Sequence, residues 1–187
     1  MIFPIIFFGL IVVLPIVYVI VTYNTLIRLS QMIRESWSNV DTELRRRYDL
    51  IPNLVETVKG YAQHEKEVLE RIAQIRSNAM ANHTDPDTQA QRGNELVREL
   101  KTLFAVAEGY PDLKANQNFL QLQEELINTE DRIQAARRFY NGNIRDFNNR
   151  VLTFPSSIIA SLSNYTPQSY FEIESLDIRK PVTASFK

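Results

Sequence analysis

An apolar run at the start of the chain limits what this sequence can fold into. From Ile2 to Val21 no charged side chain appears, and the first one is Arg28. A helix of about 20 residues spans the roughly 30 Å hydrocarbon core of a bilayer, where prolines and glycines are tolerated. The run therefore predicts a transmembrane anchor over residues 1–22.

A cleaved signal peptide is the alternative interpretation of this run, and it fits less well. No basic residue precedes the apolar segment, which is also long for a signal. The sequence Val21-Thr22-Tyr23-Asn24 offers no small-x-small cleavage site. We therefore expect an anchor that is retained.

Basic residues beside a membrane span predict its orientation, because Lys and Arg favour the cytoplasmic side. Only the amino terminus precedes the span, whereas Arg28 and Arg34 follow it. We expect the N-terminus outside and the remaining chain in the cytoplasm. Arg28 and Arg34 also lie close enough to the bilayer to be candidate contacts for lipid headgroups.

Composition argues against several classes of function. With 21 Lys and Arg against 22 Asp and Glu, the net charge of −1 gives no overall attraction to nucleic acid. The chain has no cysteine, which excludes a disulfide, a thiolate nucleophile and a zinc–cysteine site. We predict a lipid bilayer and proteins as partners, no nucleic acid and no cofactor.

Beyond the anchor, apolar residues recur at alternate steps of three and four from Leu26 to Ile75. This spacing predicts a long helix with one apolar stripe. Pro52 lies within the stripe and has no N–H to donate. It should kink the helix or start a new one capped by Asp49.

Two further helices are predicted. The first begins at Pro86, with Asp85 as its N-cap, and continues to Glu108, where Gly109-Tyr110-Pro111-Asp112 breaks it. The second, from Asn118 to Phe154, has the clearest periodicity in the chain and resembles a coiled-coil seam.

Polar and proline residues mark features of this last helix. Thr129 lies in the seam, where a polar residue can set the helix register. Pro155 should end the helix or kink it before a short piece, Ser156 to Leu162. The remaining residues lack sustained periodicity.

These patterns predict an all-α fold. We expect an N-terminal transmembrane helix followed by an elongated, coiled-coil-like antiparallel helical bundle. The predicted divisions are the anchor at 1–22, a bundle with a membrane-proximal stalk at 23–162, and a C-terminal tail at 163–187.

Several stretches of the chain carry a family resemblance. They are Tyr23-Asn24, Arg46 to Ala62, His64-Glu65, Tyr110 to Asn116, Ala136 to Asn141, Asn148 and Phe154-Pro155. Together they resemble the LemA family of bacterial membrane-associated proteins over nearly the whole chain. The resemblance implies one transmembrane helix with a short outward N-terminus and a helical bundle, placed in the bacterial cell membrane. It supplies no enzymatic activity, and because some relatives are tied to membrane remodelling or organelle formation, it favours membrane organisation.

No catalytic or metal site is predicted. His64 and Glu65 are adjacent, and adjacent helical residues point about 100° apart, so they cannot readily share a proton. His83 lies near Asp85 and Asp87, but no ligand spacing completes a metal site there, and a polar turn fits better.

Three consecutive arginines, Arg45 to Arg47, form the densest basic cluster. Successive helical residues fan around the axis, so the three do not make one patch for phosphate or headgroups. Asp41 to Arg45 and Glu43 to Arg47 are acid-before-base pairs at four-residue spacing. Ion pairs on the helix surface are therefore expected.

The predicted helix lengths leave the membrane-proximal stalk without a partner in its own chain. Its apolar stripe would then be exposed, and exposed stripes usually mark interfaces. We expect these residues to pack between copies in a homo-oligomer: Leu26, Leu29, Ile33, Trp37 and Val40.

Two functions from different classes stay open. The first is a membrane-anchored, non-enzymatic scaffold that self-associates or docks partners and so organises proteins or the bilayer. The second is an enzyme or small-ligand sensor with a polar site assembled in the bundle from Asp49, Asn53, His64, Glu65 and Arg76. A buried cluster of these side chains around a concave pocket would favour the second.

Overall fold

A computed structural model describes residues 2–81 and 86–173, with side chains described from residue 11 onward within these ranges. This part of the chain is helical and contains no strand, which confirms the predicted all-α class. The helices are α1 (Ile2–Lys59), α2 (Lys66–Ala81), α3 (Pro86–Ala107), α4 (Pro111–Ala115), α5 (Gln117–Leu152) and α6 (Ser156–Leu162).

The long helix α1 passes through Pro52 without ending. The alternative that a new helix starts there, capped by Asp49, is wrong. Interior proline costs about 3 kcal/mol, but Ile51 and Leu54 beside it are buried, and such packing outweighs the cost. The helix ends instead at Lys59, and a turn before Lys66 separates α1 from α2.

The other helix ends lie close to their predicted positions. Helix α3 ends one residue before the predicted Glu108, and α5 covers most of the predicted seam helix. The short helix α6 has the predicted bounds. Helix α4 was not expected, and it starts at Pro111, where the missing N–H costs nothing. His83 and the predicted N-cap Asp85 lie outside the described residues.

The chain divides into two compact units, and helices α1 and α5 each contribute to both. Unit 2 comprises residues 39–138 together with the chain from Phe171 onward. Its helices α2 and α3 are antiparallel, since Arg71 pairs with Glu99 at 3.3 Å and the Gln89 amide donates to the Ala79 carbonyl at 3.2 Å.

Part of the predicted C-terminal tail belongs to the core of unit 2. Phe171 is 1% exposed and Ile173 is 4% exposed. An ideal Cβ placed on Gly93 would lie 2.2 Å from Ile173 Cδ1, so helix α3 approaches this segment closely at a residue without a side chain. The Arg137 guanidinium donates to the Ile173 carbonyl.

Unit 1 comprises residues 1–38 and 139–170. Trp37 on α1 contacts Tyr140 on α5 with ring centroids 5.5 Å apart, and the Asn143 amide donates to the Met32 carbonyl at 3.3 Å. The order of these contacts shows that the two helices are antiparallel within the unit. Their buried faces form its core.

Candidate functional site

The first functional feature is the apolar segment of α1. This is the one helix in the described part of the chain that is long and apolar enough to cross a membrane. Side chains from Ile11 to Val21 are all exposed. A surface of this kind is suited to lipid rather than water, and together with its length it indicates membrane anchoring.

Arg28 and Arg34, the predicted headgroup contacts, are both exposed on α1. Along a helix, Arg28 lies about 10 Å beyond Val21 and Arg34 about 20 Å beyond it. The polar layer of a bilayer is only about 5 to 8 Å thick on each side, so a long side chain reaches it from Arg28 more easily than from Arg34. Headgroup contact stays a prediction for both residues.

The apolar stripe predicted to join copies is covered within the single chain. Leu26 and Val40 are 0% exposed and Ile33 is 5% exposed, while Leu29 and Trp37 are half-buried. The expectation that the stripe lacks an intramolecular partner is wrong, because the C-terminal part of α5 reaches Met32 and Trp37. Self-association stays a prediction, but these side chains no longer support it.

The returning chain of unit 1 is held by a capped helix end and by amide hydrogen bonds. After α6, Asn164 adopts a left-handed φ of 58°, and the Tyr165 N–H donates to the Ala160 carbonyl at 2.9 Å. This helix-ending motif reverses the chain. Tyr165 then meets Phe147 with centroids 5.7 Å apart, and the Gln168 N–H donates to Asn148 at 2.9 Å.

The residues of the alternative polar site do not form a cluster. Asp49, Asn53 and His64 are exposed, and no hydrogen bond or ion pair among the described residues joins any two of the five. Glu65 accepts from the Tyr110 hydroxyl at 3.1 Å, whereas Arg76 donates to the Tyr48 carbonyl at 2.7 Å. These are separate contacts that tie helices together.

Sequence patterns missed a buried ion pair in unit 2. Arg47 on α1 donates to Glu130 on α5, and their side chains are 1% and 4% exposed. The expected surface pair between Glu43 and Arg47 is wrong, since Glu43 pairs with Arg46 at 3.4 Å instead. The expected pair between Asp41 and Arg45 is confirmed at 2.9 Å.

Burial changes the proton affinity of this cluster. Loss of water lowers the pKa of Arg47, and the opposing Glu130 carboxylate partly offsets that effect. Burial also raises the pKa of Tyr48 above its ordinary value, with Arg47 opposing the change. The Tyr48 hydroxyl donates to Gln89 at 3.1 Å, which fixes α1 against α3. The cluster is enclosed by helices, so its geometry suits a structural role.

Comparison with known sequences decides the family. The sequence model of the LemA family matches residues 36–186. This chain belongs to the LemA family. The matched region includes Arg47 and Tyr48, two of the largest fully buried side chains of unit 2.

Several known proteins resemble this LemA-family chain at low identity. Protein LemA of Metamycoplasma hominis is 29% identical over 158 residues, which cover 83% of this chain and 72% of that protein. Magnetosome protein MamQ 2 of Paramagnetospirillum magneticum is 24% identical over 80% of this chain and 64% of its own length. Magnetosome protein MamQ of Magnetospirillum gryphiswaldense is 22% identical over the same shares.

Proposed function

We propose that this chain is a membrane-anchored, non-enzymatic scaffold that docks partner proteins or further copies of itself beside a bilayer. One observation carries the proposal: α1 runs as a single helix from its apolar segment into the packed core of unit 1. No flexible linker separates the two. A helix of this kind holds the unit at a defined distance from the membrane, as a scaffold requires.

The names of the relatives support a role in membrane organisation. Three of them are named magnetosome proteins. The chain spans 64% of the length of these relatives, so any role of their remaining residues lies outside the proposal. We propose for this chain the part of such a role that one anchor and a helical domain can perform.

We also propose that the protein lies in the bacterial inner membrane as a single-pass protein, with the N-terminus outside and the helical domain that follows the anchor in the cytoplasm. Arg28 and Arg34, on the side of the span that carries this domain, support the orientation. Reporter fusions at each end test it. A periplasmic reporter that is active at Lys187 would reverse the orientation.

The enzyme or sensor alternative has less support. Its discriminating feature was a buried group of Asp49, Asn53, His64, Glu65 and Arg76, and three of these side chains are exposed. Asn53 lines a cleft of about 410 Å³ with Glu125 and Asn118, where the described side chains include no nucleophile paired with a base.

Site-specific photo-crosslinking in native membranes tests the scaffold. A crosslinking residue would replace exposed Glu67 or Glu124 in unit 2, or exposed Phe139 in unit 1, with fully buried Ile72 as the matched control. We expect the exposed positions to capture specific proteins, or a second copy of the chain, and the Ile72 position to capture neither. Equal, non-specific capture at all positions would contradict the proposal.

Self-association has its own measurement. Light scattering of the full-length protein in a mild detergent should give the mass of a multimer. A strictly monomeric mass would remove self-association and leave partner docking as the proposed activity.

A further inference from the structure

Unit 1 exposes large apolar side chains at the turn between α5 and α6. Leu152 is 66% exposed, Phe154 82%, Ile158 53% and Leu162 80%. Single exposed apolar residues are common on protein surfaces, but several at one turn usually mark a binding surface. We call these four residues the turn patch.

The short helix α6 has two distinct faces. Ser156, Ile159 and Ala160 are buried, whereas Ile158 and Leu162 are exposed. Residues four apart share one side of a helix, so Ile158 and Leu162 form an outer apolar face. The buried face holds α6 against unit 1 and presents this outer face away from the core.

The contacts between α1 and α5 show which part of α1 lies level with the turn patch. Asn143 lies opposite Met32, and the helices are antiparallel. Leu152 is nine residues beyond Asn143, and Tyr23 is nine residues before Met32. Both steps cover about 14 Å at the helical rise. The end of α5 is therefore level with Tyr23, just beyond the apolar run of α1.

The burial of Thr22 supports this register independently. Thr22 is 3% exposed, whereas its neighbours Val21 and Tyr23 are 58% and 44% exposed. One side of α1 is thus covered by other parts of the chain as far as the end of its apolar run. The packed part of unit 1 begins where the membrane segment ends.

The composition of the turn region points to lipid as its partner. From Val151 to Tyr170, the last residue of unit 1, the chain has no Asp, Glu, Lys or Arg, and the same is true of α1 before Arg28. By the register given above, the start of this charge-free segment lies level with the end of the apolar run of α1. The region carries Ser, Thr, Asn and Tyr among its apolar residues, a mixture suited to the boundary between headgroups and acyl chains.

We propose that the turn patch inserts into the bilayer boundary beside the point where α1 leaves the membrane. Leu152, Phe154, Ile158 and Leu162 then give unit 1 a second contact with lipid in addition to its anchor. A protein would be a poorer occupant, because it would have to fit between the patch and the adjacent membrane surface. The second contact limits rotation and tilt of unit 1 about α1. This inference rests on the membrane anchoring that the proposed function requires.

Spin labels on single cysteines test the proposal, and the chain contains no native cysteine. The full-length protein would be labelled after Phe154→Cys or Leu162→Cys and reconstituted in phosphatidylcholine–phosphatidylglycerol vesicles. Phe139→Cys is the matched control, since Phe139 is 57% exposed on α5 beside Tyr140, at the level of Trp37. Circular dichroism would verify that each variant keeps its helices.

We expect labels at residues 154 and 162 to be several-fold less accessible to a water-soluble nickel chelate, and more accessible to oxygen, than the label at residue 139. Equal nickel accessibility at all three would overturn the proposal. Protection of residues 154 and 162 in native membranes, but not in the vesicles, would also overturn it and would indicate a protein partner.

A spin label at Val13→Cys distinguishes a failure of the turn-patch proposal from a failure of the membrane anchor itself. Val13 lies in the apolar segment and is 53% exposed in the isolated chain. If the Val13 label is shielded but the turn-patch labels are not, the anchor is retained and the second contact is wrong. If the Val13 label is open to the nickel chelate, both the anchor and this inference fail.

Discussion

The two units differ in whether they bury charged side chains. Among the described residues of unit 1 the buried polar side chains are all neutral: Thr22, Ser36, Asn143 and Ser156. Several are satisfied by backbone carbonyls, as in the hydrogen bond from Ser36 to Ile33 at 2.9 Å. Unit 2 buries neutral Gln89 and Thr129 and, in addition, the charged pair of Arg47 and Glu130.

Because of this difference, the stability of the two units should depend differently on ionisation. A neutral hydrogen bond contributes about 1 kcal/mol and does not depend on ionisation. A buried charge is tolerated only while its partner remains, because an unpaired ion in the interior costs several kcal/mol. We therefore expect unit 2 to be the unit that single charge-removing substitutions and extreme pH damage most.

The largest expected effect comes from removing one partner of the buried pair. Glu130→Ala should lower the free energy of unfolding by about 3 to 5 kcal/mol, because Arg47 is left charged and unpaired. Chemical denaturation of the full-length protein in detergent, followed by circular dichroism, measures the change. Asp146→Ala, which removes an exposed pair with Arg145, is the control and should cost less than about 1 kcal/mol.

Replacing both partners sharpens the same comparison. Arg47→Met combined with Glu130→Leu should recover most of the loss, because no charge is left in the interior. A double variant as unstable as Glu130→Ala would show that the pair does more than satisfy its own charges.

The next effect concerns the stripe of unit 1. Ile33→Ala should cost about 2 to 5 kcal/mol of stability, since Ile33 is 5% exposed within the single chain. The mass of the Ile33→Ala variant, measured by light scattering in mild detergent, should equal that of the unchanged protein. Unchanged stability with a reduced mass would instead restore the stripe as an interface between copies.

A smaller effect depends on pH through Tyr48. Burial raises the pKa of Tyr48 in the folded state above its ordinary value of 10.0, so the folded protein holds this proton more tightly. The resulting stability is present below about pH 10 and is lost as pH rises toward the folded-state pKa.

Tyr48→Phe tests this pH dependence. The substitution should cost about 1 to 2 kcal/mol at neutral pH, because Gln89 loses its hydrogen-bond donor. It should also flatten the fall in unfolding free energy between about pH 9 and pH 11. The same slope in both proteins would place the alkaline sensitivity elsewhere in the chain.

The smallest effect is at Gly93. In Gly93→Ala the new Cβ meets Ile173 Cδ1 at 2.2 Å, an overpacking cost of about 1 to 3 kcal/mol. The higher helix propensity of alanine stabilises the helix by about 1 kcal/mol, so the free energy of unfolding should fall by about 1 kcal/mol in total. In an Ile173→Val background, which lacks Cδ1, the same substitution should cost less, although Cγ1, which valine keeps, lies 3.2 Å from the new Cβ. A loss as large as in the Ile173 background would show that Cδ1 is not the atom that opposes the new methyl group.

Much of the fold was predictable because its signals are local. The charge-free run before Arg28 indicates a membrane segment, and the seam from Phe119 to Val151 indicates α5. The bounds of α6 were also predicted, since Pro155 and the residues around it restrict the backbone nearby. Pro52 was harder to interpret, because the packing of Ile51 and Leu54 decides whether the helix continues through the proline.

The candidate site was less predictable, because it depends on which distant side chains meet. The turn patch lies in α6 and the end of α5, but its height beside α1 follows from the contact of Asn143 with Met32. The predicted helix lengths favoured exposure of the stripe that includes Leu26 and Ile33. Helix lengths alone did not reveal that α5 returns far enough to cover it.

The sequence by itself determined the net charge of −1. It also indicated the membrane segment and most of the helices, since hydrophobicity and periodicity act over a few turns of one helix. Only the tertiary structure decided that Arg47 turns inward to Glu130, which is 83 residues away, rather than pairing with nearby Glu43. The physical reason is burial. A charged group removed from water must find an opposite charge wherever the packed helices place one, and that position is not encoded in local spacing.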